Sequence, residues 1–259
     1  MRKTFQHISY SKVGTGPHLC FLHGFCENSD IWIPVINQLK KTHTCISIDL
    51  PGFGNSDGSK FSSIDKVAKL VGEILAHEDA NNAMIFGHSM GGYVLAECIA
   101  LFESKIKAVG FVHSTAREDG SEKKINRQKS IDFIANHGTH EFFKLFVPSL
   151  VAPENLDRLR FKLTDMVRST TKEAVVQGLK SMMNRKDHVK TLSDFNKPVL
   201  FIKGMKDNHY PELDIYHQAS QCSLVQVTAI DEAGHLSMYE TPLKCLEAIE
   251  EFIQFSSKF

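Results

Sequence analysis

Three side chains of this sequence, Ser89, Asp207 and His235, have the residue types and the chain order that nucleophilic catalysis requires. A serine hydroxyl attacks a carbonyl carbon only when a base within hydrogen-bond reach accepts its proton. A histidine supplies that base, and a carboxylate holds the imidazole in the required tautomer and stabilises its protonated form. We therefore interpret Ser89 as the nucleophile, His235 as its base and Asp207 as the orienting acid. The chemistry that this set predicts is acyl transfer.

The segment around Ser89 predicts a strained turn that exposes the serine hydroxyl. Four apolar residues at 83–86 run into the sequence GHSMG at 87–91, and helix-forming residues follow. This is the pattern of a strand, a sharp turn and a helix. Gly87 and Gly91 lack side chains, so the strand and the helix can approach each other closely around the serine.

Asp207 and His235 each follow a predicted strand. The apolar runs at 197–203 and 224–230 predict two strands, and the loops after them contain Asp207 and His235. In a parallel sheet the loops after the carboxyl ends of the strands share one edge, so we expect the three side chains at one crevice. Strands alternate with amphipathic helices over most of the chain. The predicted fold class is therefore α/β, with a mainly parallel, doubly wound sheet.

A helical segment interrupts this alternation. Strand patterns disappear after residue 115, and helical patterns replace them, one of which ends near Gly138. A parallel crossover needs only about a dozen residues. We therefore predict a helical lid at 116–170, inserted before the last two strands into a core formed by 1–115 and 171–259. The excess of positive charge between 117 and 190 fits either a preference for anionic substrates or a solvated basic helix face, and we favour the second interpretation.

Five motifs in this order resemble those of the α/β-hydrolase family over nearly the whole chain. They are His23-Gly24, DLPGFGNS at 49–56, GHSMGG at 87–92, the Gly204-x-x-Asp207-x-x-x-Pro211 loop, and Gly234-His235. Within the family, the sequences at 90–93 and 179–187 resemble the branches of small-lidded carboxylesterases, enol-lactonases and carbon–carbon hydrolases. The order serine, aspartate, histidine is also the order of that family.

The resemblance implies further roles near the nucleophile. The main-chain N–H groups of Phe25 and Met90 would hold the oxyanion that develops in the transition state. Some relatives place the acid after the preceding strand, where Glu118 and Asp119 lie in this sequence. We favour Asp207 as the acid.

Four more residues are candidates for substrate contact, and each has an alternative structural interpretation. Cys26 follows the oxyanion residue, but its thiol could simply fill space. His113 ends a strand that points at the crevice, and structural and substrate-contacting roles are equally compatible with that place. Phe142 and Phe146 have helical spacing in the lid, which fits either lid core or an acyl pocket. His88 precedes the nucleophile, and we interpret it as a packed, hydrogen-bonded core residue.

The composition argues against several classes of main partner. Thirty basic and thirty acidic side chains in 259 residues leave no net charge, which argues against nucleic acid or an anionic membrane. No window approaches the length of a membrane span, and the N-terminal segment lacks the apolar core of a signal peptide, so we expect a cytoplasmic protein. The cysteines lie far apart, which favours free buried thiols over disulfides or zinc: Cys20, Cys26, Cys45, Cys98, Cys222 and Cys245. We expect no metal and no organic cofactor, and the sequence predicts no particular oligomeric state.

The function that we infer from the sequence is hydrolysis of small carboxylic esters or lactones through an acyl-enzyme on Ser89, with a small-molecule ester as substrate. Two alternatives stay open. One is hydrolysis of a carbon–carbon bond in dienoic ring-fission products, which would use the same three side chains. The other is a ligand receptor on the same scaffold, in which turnover is slow and movement of the lid is the output.

Overall fold

The computed structural model describes residues 2–57 and 62–259. Within these residues, eight strands form one sheet, in the spatial order β1-β2-β4-β3-β5-β6-β7-β8. The strands are β1 (Arg2–Phe5), β2 (Ile8–Val13), β3 (His18–Leu22), β4 (Thr44–Ile48), β5 (Ala83–His88), β6 (Ile106–Val112), β7 (Val199–Gly204) and β8 (Val225–Ile230). Strand β2 runs antiparallel to β1 and β4, and the other neighbouring pairs are parallel. The predicted α/β class with a mainly parallel sheet is confirmed.

Helices flank this sheet, with α2 packed on α3 and α1 packed on α10. The helices are α1 (Ile33–Leu39), α2 (Ile64–His77), α3 (Met90–Phe102), α4 (Ser121–Phe146), α5 (Leu156–Arg168), α6 (Lys172–Met183), α7 (Val189–Asp194), α8 (Glu212–Ala219), α9 (Ser237–Glu240) and α10 (Pro242–Ser256). In the described parts of the chain, no helix has both the length and the apolar character needed to cross a membrane.

The central strands are buried along their whole length because helices cover the sheet, and their sequences are accordingly continuous apolar runs. Aromatic rings on neighbouring strands stack across the core, Phe21 on Phe86 at 5.4 Å and Phe111 on Phe201 at 5.3 Å between centroids. All six cysteines are free, and five of them are buried, as predicted. This rigid core fixes the carboxyl edge from which the loops of the site emerge.

The N-terminal strands form the antiparallel part of this mainly parallel sheet. Strands β1 and β2 form a hairpin whose two turn residues, Gln6 and His7, have φ values of 47° and 69°. Two consecutive positive φ values are typical of a type I′ turn, which usually contains asparagine or glycine. The absence of those residues explains why the sequence pattern does not reveal the hairpin.

The helices between β6 and β7 form one insertion, which we call the helical insertion (121–194). Gly138, with φ 83° and ψ 169°, breaks the helical path of α4, close to the predicted helix end. Helix α6 packs on α4, so the helical insertion continues past the predicted lid boundary at residue 170.

Candidate active site

Ser89 occupies the strained turn between β5 and α3. Its backbone angles, φ 49° and ψ −115°, lie outside the usual regions for a residue with a side chain, which costs about 1–3 kcal/mol. A Cβ atom on Gly91 would lie 2.5 Å from the Leu22 main-chain oxygen, and one on Gly87 would lie 2.5 Å from the Gly91 oxygen. Glycine is therefore required on both sides of the serine.

His235 and Asp207 form a buried pair in the two loops that follow β8 and β7. Nδ1 of His235 donates to Oδ2 of Asp207 at 2.8 Å. Burial alone would raise the pKa of Asp207, but the charge and hydrogen bond of His235 outweigh it and hold that pKa well below its usual range. The main-chain N–H of His209 donates to the other carboxylate oxygen at 2.8 Å. Asp207 is thus an ionised group that orients His235 through Nδ1.

The neighbouring carboxylates have other partners. Asp119 binds the guanidinium groups of Arg127 and Arg185, and Glu118 lies 2.9 Å from the Lys124 ammonium. The structure therefore brings Asp207, and not these residues, to His235.

Ser89 and His235 line one small cavity of about 70 Å³. Its wall combines polar and charged side chains with aromatic and aliphatic ones, which include Phe25, Phe146, Leu150, Met182 and Tyr210. A wider groove of about 770 Å³ shares Phe25, Phe146 and Tyr210 with the cavity, so the two are adjacent. A small chamber with both apolar and charged side chains in its wall thus lies at Ser89, with a larger space beside it.

Two main-chain N–H groups near Ser89 lack an acceptor among the described residues: that of Phe25, which lines the cavity, and that of Met90, which directly follows the serine. Met90 is the first residue of α3, where helical N–H groups have no partner within the helix. The loop that contains Phe25 is held by Glu27, whose Oε2 accepts from the N–H of Gly24 at 2.7 Å.

Cys26 and His113 do not belong to the described lining of the cavity or of the groove. The Cys26 side chain is fully buried. His113 accepts at Nδ1 from the Gly204 N–H at 3.1 Å and donates from Nε2 to Ser237 Oγ at 2.7 Å. Burial lowers the pKa of His113 well below its ordinary value, so its imidazole is a neutral link between loops. The expectation of substrate contact by these two residues therefore finds no support in the structure.

Phe142 and Phe146 lie at the cavity and the groove. Phe146 lines both, Phe142 lines the groove, and their rings stack at 5.4 Å between centroids. Phe146 also meets the ring of Phe25 edge-on at 5.7 Å. The helical insertion thus contributes apolar rings to the walls of the cavity and the groove.

A buried ion pair that sequence reasoning missed lies behind the three proposed residues. Nδ1 of His88 lies 2.9 Å from Oε2 of Glu27, and Nε2 of His88 lies 2.8 Å from the main-chain oxygen of His235. Because both ring nitrogens face acceptors, both carry protons. Burial alone would lower the pKa of His88, but Glu27 outweighs it and raises that pKa. His88 is therefore a buried structural cation. This agrees with the prediction that it is a packed, hydrogen-bonded core residue.

A tyrosine pair beside the serine was also missed. The hydroxyl groups of Tyr93 and Tyr210 lie 2.5 Å apart, and both side chains line the cavity. Tyr93 belongs to the first turns of α3, and Tyr210 follows Asp207 in its loop. Only the fold brings them together, since 117 positions separate them in the chain.

Asp207, His209 and His235 place three atoms of metal-binding type within 4.8 Å of one another. Protein groups already bind these side chains, because His209 Nε2 donates to the Ser149 oxygen at 3.0 Å and Asp207 binds His235. Burial, followed by the neighbouring His235, lowers the pKa of His209 to about 4, so this imidazole is neutral near pH 7. The geometry therefore favours a hydrogen-bonded network among these side chains.

The chain is similar to known proteins over most of its length. It matches the family model of the alpha/beta hydrolase fold over residues 17–242. It is 25% identical to a pimeloyl-[acyl-carrier protein] methyl ester esterase from Xanthomonas campestris pv. campestris, over 93% of this chain and 96% of that protein.

Solved structures show the same fold. A thermophilic esterase from Thermogutta terrifontis matches with a TM-score of 0.90 and 24% identity, over 96% of this chain and 93% of that one. The enol-lactonase from Burkholderia xenovorans LB400 matches with a TM-score of 0.88 and 18% identity, over 98% of this chain and all of that one. With the family model covering most of its residues, the chain belongs to the α/β-hydrolase fold family.

Proposed function

We propose that the chain is a serine hydrolase of small carboxylic esters or lactones, which works through an acyl-enzyme on Ser89. One observation carries this proposal: Ser89 lines the same cavity as His235, and Nδ1 of His235 is hydrogen-bonded to Asp207. The relative that is 25% identical over nearly the full length is a methyl ester esterase, which supports an ester as the substrate.

The proposed mechanism begins with attack of Ser89 Oγ on the substrate carbonyl carbon. Nε2 of His235 accepts the serine proton and then gives it to the departing alcohol. Asp207 remains ionised and stabilises the imidazolium, because its lowered pKa keeps the proton off the carboxylate. Water then attacks the acyl-enzyme, with His235 as base, and releases the acid.

Two main-chain N–H groups would stabilise the tetrahedral intermediates. Those of Phe25 and Met90 have no acceptor among the described residues, so they can donate to the developing oxyanion. Each such donor is worth about 3 kcal/mol in the transition state. The position of Met90 supports this arrangement, because its N–H is the first of helix α3 and directly follows Ser89.

The cavity size sets the expected substrate range. A chamber of about 70 Å³ beside Ser89 accommodates a short acyl group, and the adjacent groove offers room for the alcohol. We therefore expect short acyl chains to react faster than long ones in a series of p-nitrophenyl esters from acetate to decanoate.

Covalent labelling tests the proposal directly. A fluorophosphonate ester preferentially phosphonylates an activated serine, and peptide mass spectrometry identifies the modified residue. We expect the label on Ser89, and we expect His235→Asn to slow labelling strongly because the base is lost. Ser114→Ala is the matched control, since the Ser114 hydroxyl donates to the main-chain oxygen of Ser89 and is not a nucleophile in this scheme. Label on another serine, or none, would overturn the assignment.

A further inference from the structure

Three cations surround the tyrosine pair at the cavity. The Lys123 ammonium lies 4.3 Å from the ring centroid of Tyr210, and the Arg185 guanidinium lies 3.7 Å from that of Tyr93. Lys123 and Arg127 line the same cavity as the proposed nucleophile, and Arg185 lines the adjacent groove. We call Lys123, Arg127 and Arg185 the cationic cluster.

One carboxylate is shared by two of these cations. Asp119 is buried and binds Arg127 through Oδ2 and Arg185 through Oδ1, the latter at 2.7 Å. Lys123 donates to the main-chain oxygen of His209 at 3.2 Å, and no carboxylate of the described residues forms a salt bridge with it. The cationic cluster therefore carries more positive charge than Asp119 neutralises.

The remaining acidic residues nearby do not cancel this excess inside the cavity. Glu27 lines the cavity, but the buried His88 cation already pairs with it at 2.9 Å. Three further carboxylates line the wider groove and are open to solvent: Glu118, Glu122 and Asp214. Solvent screens such exposed charges far more than charges in a buried chamber.

The pKa of Tyr93 reflects the same excess of positive charge. Burial alone would raise the pKa of its hydroxyl, but Arg185, Lys123 and Arg127 outweigh burial and lower that pKa. Positive charge nearby favours the ionised form of a buried phenol. The chamber at the serine thus favours a negatively charged group.

We propose that the cationic cluster binds a carboxylate carried by the substrate, so that the chain prefers monoesters of short dicarboxylic acids to neutral esters. The proposal rests on the proposed function, and it names the substrate class of the same site. Because the cavity holds about 70 Å³, the carboxylate must lie only a few bonds from the ester carbon. Lys123 supplies the charge that is free to pair with it.

The test compares monoethyl succinate with ethyl butanoate, which differ by a carboxylate in place of a methyl group. Wild type and Lys123→Met are assayed with both by titration of the released acid. We expect Lys123→Met to lower kcat/KM for monoethyl succinate by about 10- to 100-fold relative to its effect on ethyl butanoate, as for loss of a hydrogen bond to a charged group. Lys129→Met is the control, because Lys129 is an exposed lysine of the same helix. It should leave both rates unchanged.

A second pair of substrates locates the carboxylate. Acetoxyacetate carries it on the alcohol side, and ethyl acetate is its neutral counterpart. The proposal predicts a larger effect of Lys123→Met on the succinate pair than on the acetate pair. A larger effect on the acetate pair would overturn the assignment to the acyl side.

Calorimetry separates this proposal from the proposed function. Monoethyl succinate is titrated into Ser89→Ala and into Ser89→Ala with Lys123→Met, and weaker binding by the second protein supports the cationic cluster. If wild type hydrolyses ethyl butanoate in a Ser89-dependent way but Lys123→Met affects both esters equally, the proposed function stands and the cluster proposal fails. If wild type hydrolyses neither ester, the proposed function fails, and calorimetry alone decides the cluster proposal: equal binding by both proteins overturns it.

Discussion

Nε2 of His88 donates to the main-chain oxygen of His235 at 2.8 Å, which ties the residue before the proposed nucleophile to the residue proposed as its base. The other ring nitrogen of His88 binds Glu27, and Glu27 in turn accepts from the N–H of Gly24. One buried ion pair thus connects the segments that contain the proposed nucleophile, the proposed base and the proposed oxyanion site. Its integrity should matter for both stability and catalysis.

Replacing Glu27 by glutamine should weaken this connection. The variant keeps a hydrogen-bond acceptor of the same size but leaves the His88 cation without its buried counter-charge, which we expect to cost about 3 kcal/mol of unfolding free energy. Chemical denaturation followed by circular dichroism measures the loss. Glu250→Gln, at an exposed position of α10, is the matched control and should change stability by less than about 0.5 kcal/mol. Equal stability of the two variants would contradict the role of the pair.

The contribution of this pair should depend on pH in a defined direction. Folding raises the pKa of His88, so its stabilisation is complete below the ordinary value of 6.5 and is lost as the pH rises through the folded-state pKa. Folding lowers the pKa of Glu27, so its stabilisation is present above the ordinary value of 4.5 and is lost as the pH falls through the folded-state pKa.

The stability difference between wild type and Glu27→Gln should therefore be largest between pH 4.5 and 6.5 and should decrease towards alkaline pH. Denaturation curves collected at a series of pH values give this difference. A difference that grows with rising pH would show that His88 is not the cation of the pair.

Asp207→Asn should reduce turnover far more than it affects folding. The amide can no longer hold His235 in the tautomer whose Nε2 accepts a proton, and we expect kcat to fall by about 10³- to 10⁴-fold. Asp231→Asn is the control, because Asp231 is nearer to His235 in sequence but exposed to solvent. Steady-state ester hydrolysis by the two variants decides which carboxylate orients His235. A comparable loss of kcat in both variants would contradict the assignment of Asp207.

Gly91→Ala should destabilise the turn itself. The added Cβ would lie 2.5 Å from the Leu22 oxygen and 2.7 Å from the His23 oxygen, and neither backbone atom can yield easily. We expect a loss of about 3 kcal/mol, as for other overpacked sites. Gly120→Ala is the control, since nothing lies within 4 Å of a Cβ at that position. Thermal unfolding of both proteins makes the comparison, and normal stability of Gly91→Ala would contradict the close approach of β3 and α3.

Sequence reasoning works best at this site where local patterns fix the backbone. The glycines around Ser89 specify a turn with little dependence on distant contacts, and strand patterns before Asp207 and His235 place their loops at the carboxyl edge of the sheet. The structure accordingly brings Asp207 and His235 into direct contact.

The features of the site that the sequence did not predict depend on contacts between distant residues or on the orientation of whole segments. Glu27 and His88 are 61 positions apart, and no periodicity links them. Lys123 belongs to the helical insertion, and the sequence does not determine how this insertion is oriented over the sheet. The interpretation that we favoured, a solvated basic helix face, therefore did not anticipate a lysine in the cavity wall. Cys26 and His113 follow strands that point at the site, which is why we considered them for substrate contact. Their backbones have positive φ values of 59° and 48°, respectively, and both side chains are buried.

The most direct test of the account is hydrolysis of p-nitrophenyl butanoate near neutral pH by wild type and Ser89→Ala, measured side by side. We predict rapid turnover by wild type and a loss of about 10⁴-fold or more in the variant, because no other group replaces the nucleophile. Circular dichroism of Ser89→Ala should match wild type and exclude misfolding as the cause. Turnover that survives unchanged in Ser89→Ala would contradict the acyl-enzyme on Ser89 and, with it, the proposed function.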